Sequence, residues 1–185
     1  MIKKKYKCIL ADCPWEYNDK LQGDPMHGGI TYPVLSTKDL KELPVNNIAD
    51  KDCFLFMWVT MPMIQHGLDV IKSWGFTHKT TAFVWVKQNP LGEGIWKGLG
   101  HYTMSNAELC LVAIKGHPKR MVKNISQIVI APRSKHSEKP EEVRNRINQL
   151  VGDVNKIELF ARQKVKGWTC VGNEINGKDI RDVIK

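Results

Sequence analysis

Seven short apolar runs punctuate the chain, and their length restricts what it can fold into: Tyr6–Ala11, Phe54–Val59, Ala82–Val86, Glu108–Ile114, Ile128–Ala131, Lys156–Phe160 and Thr169–Val171. Their brevity, β-branched content and flanking turn residues read as strands. Helical patterns lie between some of them. From Pro62 to Trp74 the residues Met63, Leu68, Val70, Ile71 and Trp74 fall roughly on one face, and Gly75 supplies a stop. After Ser137, Pro140-Glu141-Glu142 puts a proline and two acids into a first turn. A helix is predicted there that buries Val143, Ile147 and Leu150 and ends at Gly152. Strands alternating with helices predict an α/β sheet with helices on both faces. Ligands of such sheets gather beyond the carboxyl ends of the strands, so a functional motif should follow a strand directly. No repeat or linker divides the 185 residues, and a single domain over 1–185 is expected.

Composition narrows the function classes. Hydrophobic residues make up 42% and charged residues 25%, an ordinary globular mix. The longest apolar run, Cys53 to Val59, is too short to span a bilayer, and Asp12 interrupts the stretch that follows Lys3, Lys4 and Lys5. A cytoplasmic protein is expected. The five cysteines are odd in number and lack paired spacing, which argues against a disulfide framework and against a metal site. Cys8, Cys53, Cys110 and Cys170 lie in apolar runs and read as core thiols. Lysine and arginine exceed aspartate and glutamate by 28 − 19 = 9. Such a surplus suits a polyanionic partner, and equally serves solubility.

Asp12-Cys13-Pro14-Trp15 follows the first strand immediately. The exocyclic amine of adenine is a poor nucleophile, because its lone pair is conjugated into the ring. A carboxylate and a neighbouring main-chain carbonyl can each accept one amino hydrogen, draw the nitrogen towards tetrahedral geometry and free the lone pair for attack on a sulfonium methyl. Pro14 restricts Cys13 to extended conformations and so helps aim that carbonyl. Trp15 offers a flat face to an extruded base. Taken alone, the four residues read as a turn with a capping Asp and a core Trp.

The order of landmarks along the chain resembles the MT-A70 family of adenine methyltransferases, whose hallmark is Asp-Pro-Pro-Trp. After the motif come Tyr32, Leu43-Pro44-Val45, Phe54 to Thr60, Trp74-Gly75-Phe76, Trp85-Val86-Lys87, Gly100-His101-Tyr102 and Glu108-Leu109. Arg133, His136 to Pro140, Glu158 to Arg162, Gly167-Trp168 and Gly172-Asn173-Glu174 complete the series. The resemblance runs from about Lys5 to Gly177. It implies a Rossmann-like class I methyltransferase with a mostly parallel sheet, using S-adenosylmethionine, with catalysis near the N-terminus and cofactor contacts near the C-terminus. Asp12 and the Cys13 carbonyl would hold the amine, with Pro14 and Trp15 completing the catalytic motif. Lys139 would pair with the cofactor's carboxylate. Asn173, Arg162, Glu174, Phe160 and Asp12 would line the cofactor site, and Glu158 would either join them or serve as an ion-pair partner of Arg162. Trp15, Tyr17, Tyr32 and Lys87 would face the substrate. Read without the resemblance, Lys139 is a solvated helix-start residue, Asn173 a turn and Tyr32 loop packing.

One departure stands out. Cysteine replaces the first proline of the hallmark, yet it keeps the carbonyl that the role requires. A thiol nucleophile at Cys13 is a separate reading, which adenine methylation does not need. Gly92, Gly94, Gly98 and Gly100 miss the dinucleotide-binding spacing and read as a loop near the substrate. Lys115, His117, Lys119, Arg120 and Lys123 form a basic loop that either tracks phosphates or is merely solvated. The expectation is methylation of adenine N6 in nucleic acid, with DNA ahead of RNA and room for a homodimer or a partner subunit. The rival expectation is a non-catalytic binding subunit. The sequence shows no device for opening a duplex, so unpaired targets are expected to bind better.

Overall fold

A computed structural model describes residues 4–17, 33–134, 138–177 and 179–184. Its frame is one seven-stranded sheet in the order β5-β3-β4-β2-β1-β6-β7. The strands are β1 Tyr6–Ala11, β2 Ala49–Val59, β3 Thr77–Gln88, β4 Ala107–Lys115, β5 Ile128–Pro132, β6 Lys156–Leu159 and β7 Thr169–Val171. Every apolar run of the sequence is a strand. β2 and β3 extend well beyond their runs, because pairing with neighbours carries the ladder through polar residues such as Asp50 and Thr80. Only β4 runs against its neighbours; the other four pairings are parallel.

Two helices match their sequence patterns. α2, Ile64–Ser73, follows a 3-10 turn over Met61–Met63, and Gly75 behind it has φ 81°. α3, Glu141–Val151, starts after Pro140 and stops at Gly152, whose φ is 72°. Its fully buried residues are Val143, Ile147 and Val151. Leu150, expected inside, is only partly covered, since a position one residue on completes the 3.6-residue stripe. The short helices α1 Thr37–Glu42, α4 Asn173–Asn176 and α5 Ile180–Val183 lack a long apolar stripe. α1 is signalled instead by a cap: Asp39 donates its N–H to Ser36 Oγ at 3.1 Å, and the Ser36 hydroxyl donates to Asp39 Oδ2 at 2.7 Å.

The sheet has a core on each face. Ile9, Leu55, Met57, Val70, Ile71 and Trp74 pack on one side beneath α1, α2 and α5. Leu10, Phe56, Trp58, Phe83, Trp85 and the apolar side of α3 pack on the other. All five cysteines are free thiols; four are buried and Cys170 is partly covered. Among the described residues no helix is long and apolar enough to cross a membrane.

Strand direction decides where the site forms. β1 is central, with β2 on one side and β6 on the other. The chain leaves β1 towards β2 and later crosses back through α3 to β6, so a crevice opens beyond the ends of β1 and β6. Asp12 after β1, Thr60 after β2, Lys87 near the end of β3, Arg133 after β5, Phe160 after β6 and Gly172 after β7 all lie at this edge. Because β4 is reversed, Glu108 at its start arrives there too.

Candidate active site

The motif after β1 is a tight turn. Trp15 donates its backbone N–H to the Cys13 carbonyl at 2.9 Å, and Pro14 lies between them. Such an i to i+2 bond needs a central φ near −75°, close to the angle a proline ring imposes. The Pro14 carbonyl accepts from Leu35 N–H at 2.8 Å, which fastens the turn to the segment before α1. Trp15 is buried and donates Nε1–H to the Trp58 carbonyl at 3.2 Å. Its ring therefore braces the turn as part of the core. Tyr17 pairs its hydroxyl with Thr60 Oγ1 at 2.7 Å.

Asp12 stands at the head of a chain of charges. Lys139 Nζ donates to Asp12 Oδ2 at 2.9 Å and lies 3.4 Å from Glu108 Oε2. The other Glu108 oxygen, Oε1, is 2.6 Å from Lys87 Nζ. Two carboxylates and two ammonium groups alternate, so the buried cluster carries no net charge. Burial pushes the Asp12 pKa up; Lys139 opposes this and Glu108 adds to it. Burial works in the same direction on Glu108, yet Lys139 and Lys87 beside it overcome that and hold its pKa low. For Lys139 burial favours the neutral amine, but the two carboxylates prevail and keep it charged. Burial drives the Cys13 thiol far above its ordinary value, with Asp12 adding to the effect. A protonated, buried thiol is not a nucleophile.

Two clefts meet at this edge and share Asp12, Phe160, Arg162 and Glu174. The larger, of about 270 Å³, runs past Lys139, Arg144 and Glu158. The smaller, of about 90 Å³, runs past Cys13, Pro14, Leu35 and Gly172. A third recess, between Asp12, Tyr17, Thr60 and Glu108, lies on the other side of the turn. Phe160 is the one non-glycine among the described residues with positive φ, 61°, which turns the chain sharply out of β6. A Cβ at Gly172 would strike the Ala161 carbonyl oxygen, so only glycine permits that approach.

Of the residues singled out in the sequence, Asp12, Cys13, Pro14, Lys139, Phe160, Arg162 and Glu174 come together around these clefts. Lys87 points into the charge chain, with its ammonium 5.4 Å from the Trp85 ring. Glu158 is the ion-pair partner of Arg144, not of Arg162: Nε donates to Oε2 and Nη2 to Oε1, both at 2.8 Å. Helix periodicity sets Arg144 one turn into α3, facing β6, which the sequence did not reveal. Arg162 instead lies 3.6 Å from Glu174. Asn173 begins α4, with its side chain outside what the structure describes. Tyr32, His136 and Ser137 are also outside the described residues. Glu108 had no assigned role; its signal was a lone acid at the start of an otherwise apolar strand. The basic loop from Lys115 to Lys123 leaves β4 at the far end of the sheet, where His117 N–H binds Asp52 Oδ1 at 2.8 Å.

The family profile of MT-A70 matches residues 6–174. The chain is 38% identical to the Type II methyltransferase M.MunI of Mycoplasma sp over 193 residues, covering 94% of this chain and 79% of that protein. It is 30% identical to the N(6)-adenosine-methyltransferase catalytic subunit METTL3 of Homo sapiens, over 98% of this chain but 30% of that protein. A similar match, 30% identical over 91% of this chain and 24% of the relative, is the N(6)-adenosine-methyltransferase MT-A70-like of Arabidopsis thaliana. With nearly its whole length covered, the chain belongs to the MT-A70 family of methyltransferases.

Proposed function

We propose that this chain moves a methyl group from S-adenosylmethionine to the 6-amino nitrogen of an adenine extruded from DNA. As a member of the MT-A70 family it is an adenine-N6 methyltransferase; the donor, the nucleic acid and the residue roles are our reading. The observation that carries it is Asp12, a partly buried carboxylate on a proline-locked turn at the switch point of the sheet, where two clefts open.

The donor set suits such a cofactor. Lys139 offers a cation to an amino-acid carboxylate, Glu174 and Arg162 offer an acceptor and donors to a ribose, and Phe160 offers an apolar face to a purine. When bound, the cofactor supplies an electrophilic methyl on a sulfonium. Glu158 contributes by holding Arg144, and through it α3, along the wall of the larger cleft.

Asp12 and the Cys13 carbonyl would each accept one hydrogen of the amine. Lys139 occupies Oδ2 of Asp12, and Trp15 N–H occupies one lone pair of the Cys13 carbonyl; both groups have further acceptor capacity. The raised pKa of Asp12 also makes it a better acceptor for the proton that the methylated nitrogen must shed. Trp15 braces the turn, while Tyr17 and Tyr32 would line the base side. A cytoplasmic setting accords with the free thiols.

DNA is our first reading: the Type II methyltransferase M.MunI is matched over 79% of its own length, the METTL3 relatives over only 30% of theirs. RNA is the second reading, because the METTL3 relatives are named for adenosine, a ribonucleoside. Incubation with labelled cofactor and either DNA or RNA, followed by nucleoside analysis, tests the proposal. The expected product is N6-methyladenine in DNA; label on another base, or none, would refute it.

A further inference from the structure

The loop between β3 and β4, residues 89–106, leaves and rejoins the sheet at the edge where Asp12 stands. Its two roots, Lys87 and Glu108, belong to the charge chain that ends on Asp12. The first half is pinned down. Trp96 donates its N–H to the Lys87 carbonyl at 2.8 Å, and the Arg133 guanidinium lies 4.3 Å from the Trp96 ring. The second half closes on itself, with Ser105 N–H donating to the Gly98 carbonyl at 3.0 Å. A Cβ at Gly98 would lie 2.5 Å from the Ser105 carbonyl oxygen, and one at Gly100 would collide with that of Thr103. Backbone stacked this closely leaves no interior for side chains, so the lobe presents them outward. Leu99 is 97% exposed and Tyr102 100%, and Met104 in the same lobe is also exposed. Single exposed apolar residues are ordinary, but a group on one braced lobe marks a contact surface.

We propose that the 98–105 lobe is a duplex-opening wedge, whose Leu99 and Tyr102 enter the base stack beside the adenine being delivered to Asp12. The inference rests on the reading that the substrate is adenine in nucleic acid. Extrusion of a base leaves a gap with lost stacking, and apolar or aromatic side chains are what fill such gaps. Position favours this occupant over a protein: a strand that places an adenine at Asp12 must cross the sheet edge from which the lobe's loop springs. Charge favours it too. The chain carries a surplus of nine cations, Lys97 lies two residues before Leu99, and Arg133 stands at the root, so phosphates beside an opened step meet positive charge.

The test compares the parent with the double variant Leu99→Ala/Tyr102→Ala on three oligonucleotides, each made as DNA and as RNA. One has the target adenine paired, one has it opposite an abasic site, and one is single-stranded. A 2-aminopurine beside the target reports unstacking. The expected result is a loss of about tenfold or more in methylation of the paired target, the order of one lost stacking contact. The abasic and single-stranded targets should be methylated nearly as by the parent, and the 2-aminopurine signal should disappear for the paired target. An equal loss on all three substrates, or no loss, would overturn the wedge. So would a fall in sedimentation mass from dimer to monomer, which would make the lobe the face for a second copy. A parent that methylates none of the oligonucleotides would instead refute the substrate reading, and the wedge with it.

Discussion

Asp12 is partly withdrawn from water, which raises its pKa, and Lys139 and Glu108 push that pKa down and up respectively. Asp12→Ala should abolish methyl transfer while leaving the circular dichroism spectrum near that of the parent, and should lower turnover more than substrate affinity, because the lost acceptor acts mainly in the transition state. Parent-like turnover would remove Asp12 from the mechanism. The charge chain predicts two opposite pH effects. Asp12 must be ionised to accept the amine, so the rate falls as pH drops through its pKa. Glu108→Gln removes a neighbouring anion that raises this pKa, so the acid limb of kcat/KM should move to lower pH. Lys139→Ala removes the cation that lowers it, so the limb should move to higher pH. Arg162, Arg144, Lys87 and the buried Cys13 and Cys110 thiols also face this cluster and are unchanged in both variants. Shifts of the same sign, or none, would show that these charges do not tune Asp12. Lys139→Ala should also weaken S-adenosylmethionine binding by about 1.5–3 kcal/mol, roughly ten- to a hundredfold, as calorimetry would measure.

At the scale of elements, α3 bears on the site through one side chain. Arg144 reaches from its second turn to Glu158 on β6, and both are largely withdrawn from water. Removing one partner of such a pair leaves the other buried with its charge uncompensated, at a cost of about 3–5 kcal/mol. Arg144→Leu should therefore lower the urea midpoint markedly, whereas Glu174→Gln should barely shift it, since Glu174 is exposed and its contact with Arg162 is 3.6 Å long. If the two variants unfold alike, the Arg144–Glu158 pair is not what holds α3 against the cleft. The elements also show where pattern reading succeeds. α2 and α3 were visible as apolar stripes. α1 was not, because six residues carry only one buried side chain, Leu40, and its Ser36 cap is a local signal without periodicity.

For the molecule as a whole, the positive surplus should make nucleic-acid binding fall steeply with salt. The structure divides that charge by location. The basic loop at Lys119, Arg120 and Lys123 sits at the end of the sheet opposite Asp12. Neutralising those three to alanine should leave the slope of log affinity against log salt unchanged, whereas Lys97→Ala in the β3–β4 loop should reduce it by about one. A large change from the far loop would mean that the nucleic acid wraps round to that face. The unpaired preference expected from sequence is conditional in the same way: a wedge in the 98–105 lobe would let a paired adenine compete.

What the sequence determined by itself was local: the seven strands, the two long helices, and an acid-proline-tryptophan turn directly after the first strand. These depend on periodicity and on the restricted backbone of proline and glycine, which a few adjacent residues settle. Which residues meet was decided by tertiary structure. The reversal of β4 carries Glu108 to the same edge as Asp12, though 96 positions separate them in the numbering. The crossing through α3 brings Lys139 to Asp12 and turns Arg144 towards Glu158. Strand order and direction depend on how two apolar faces are covered at once, a property of the whole sheet that no single segment encodes.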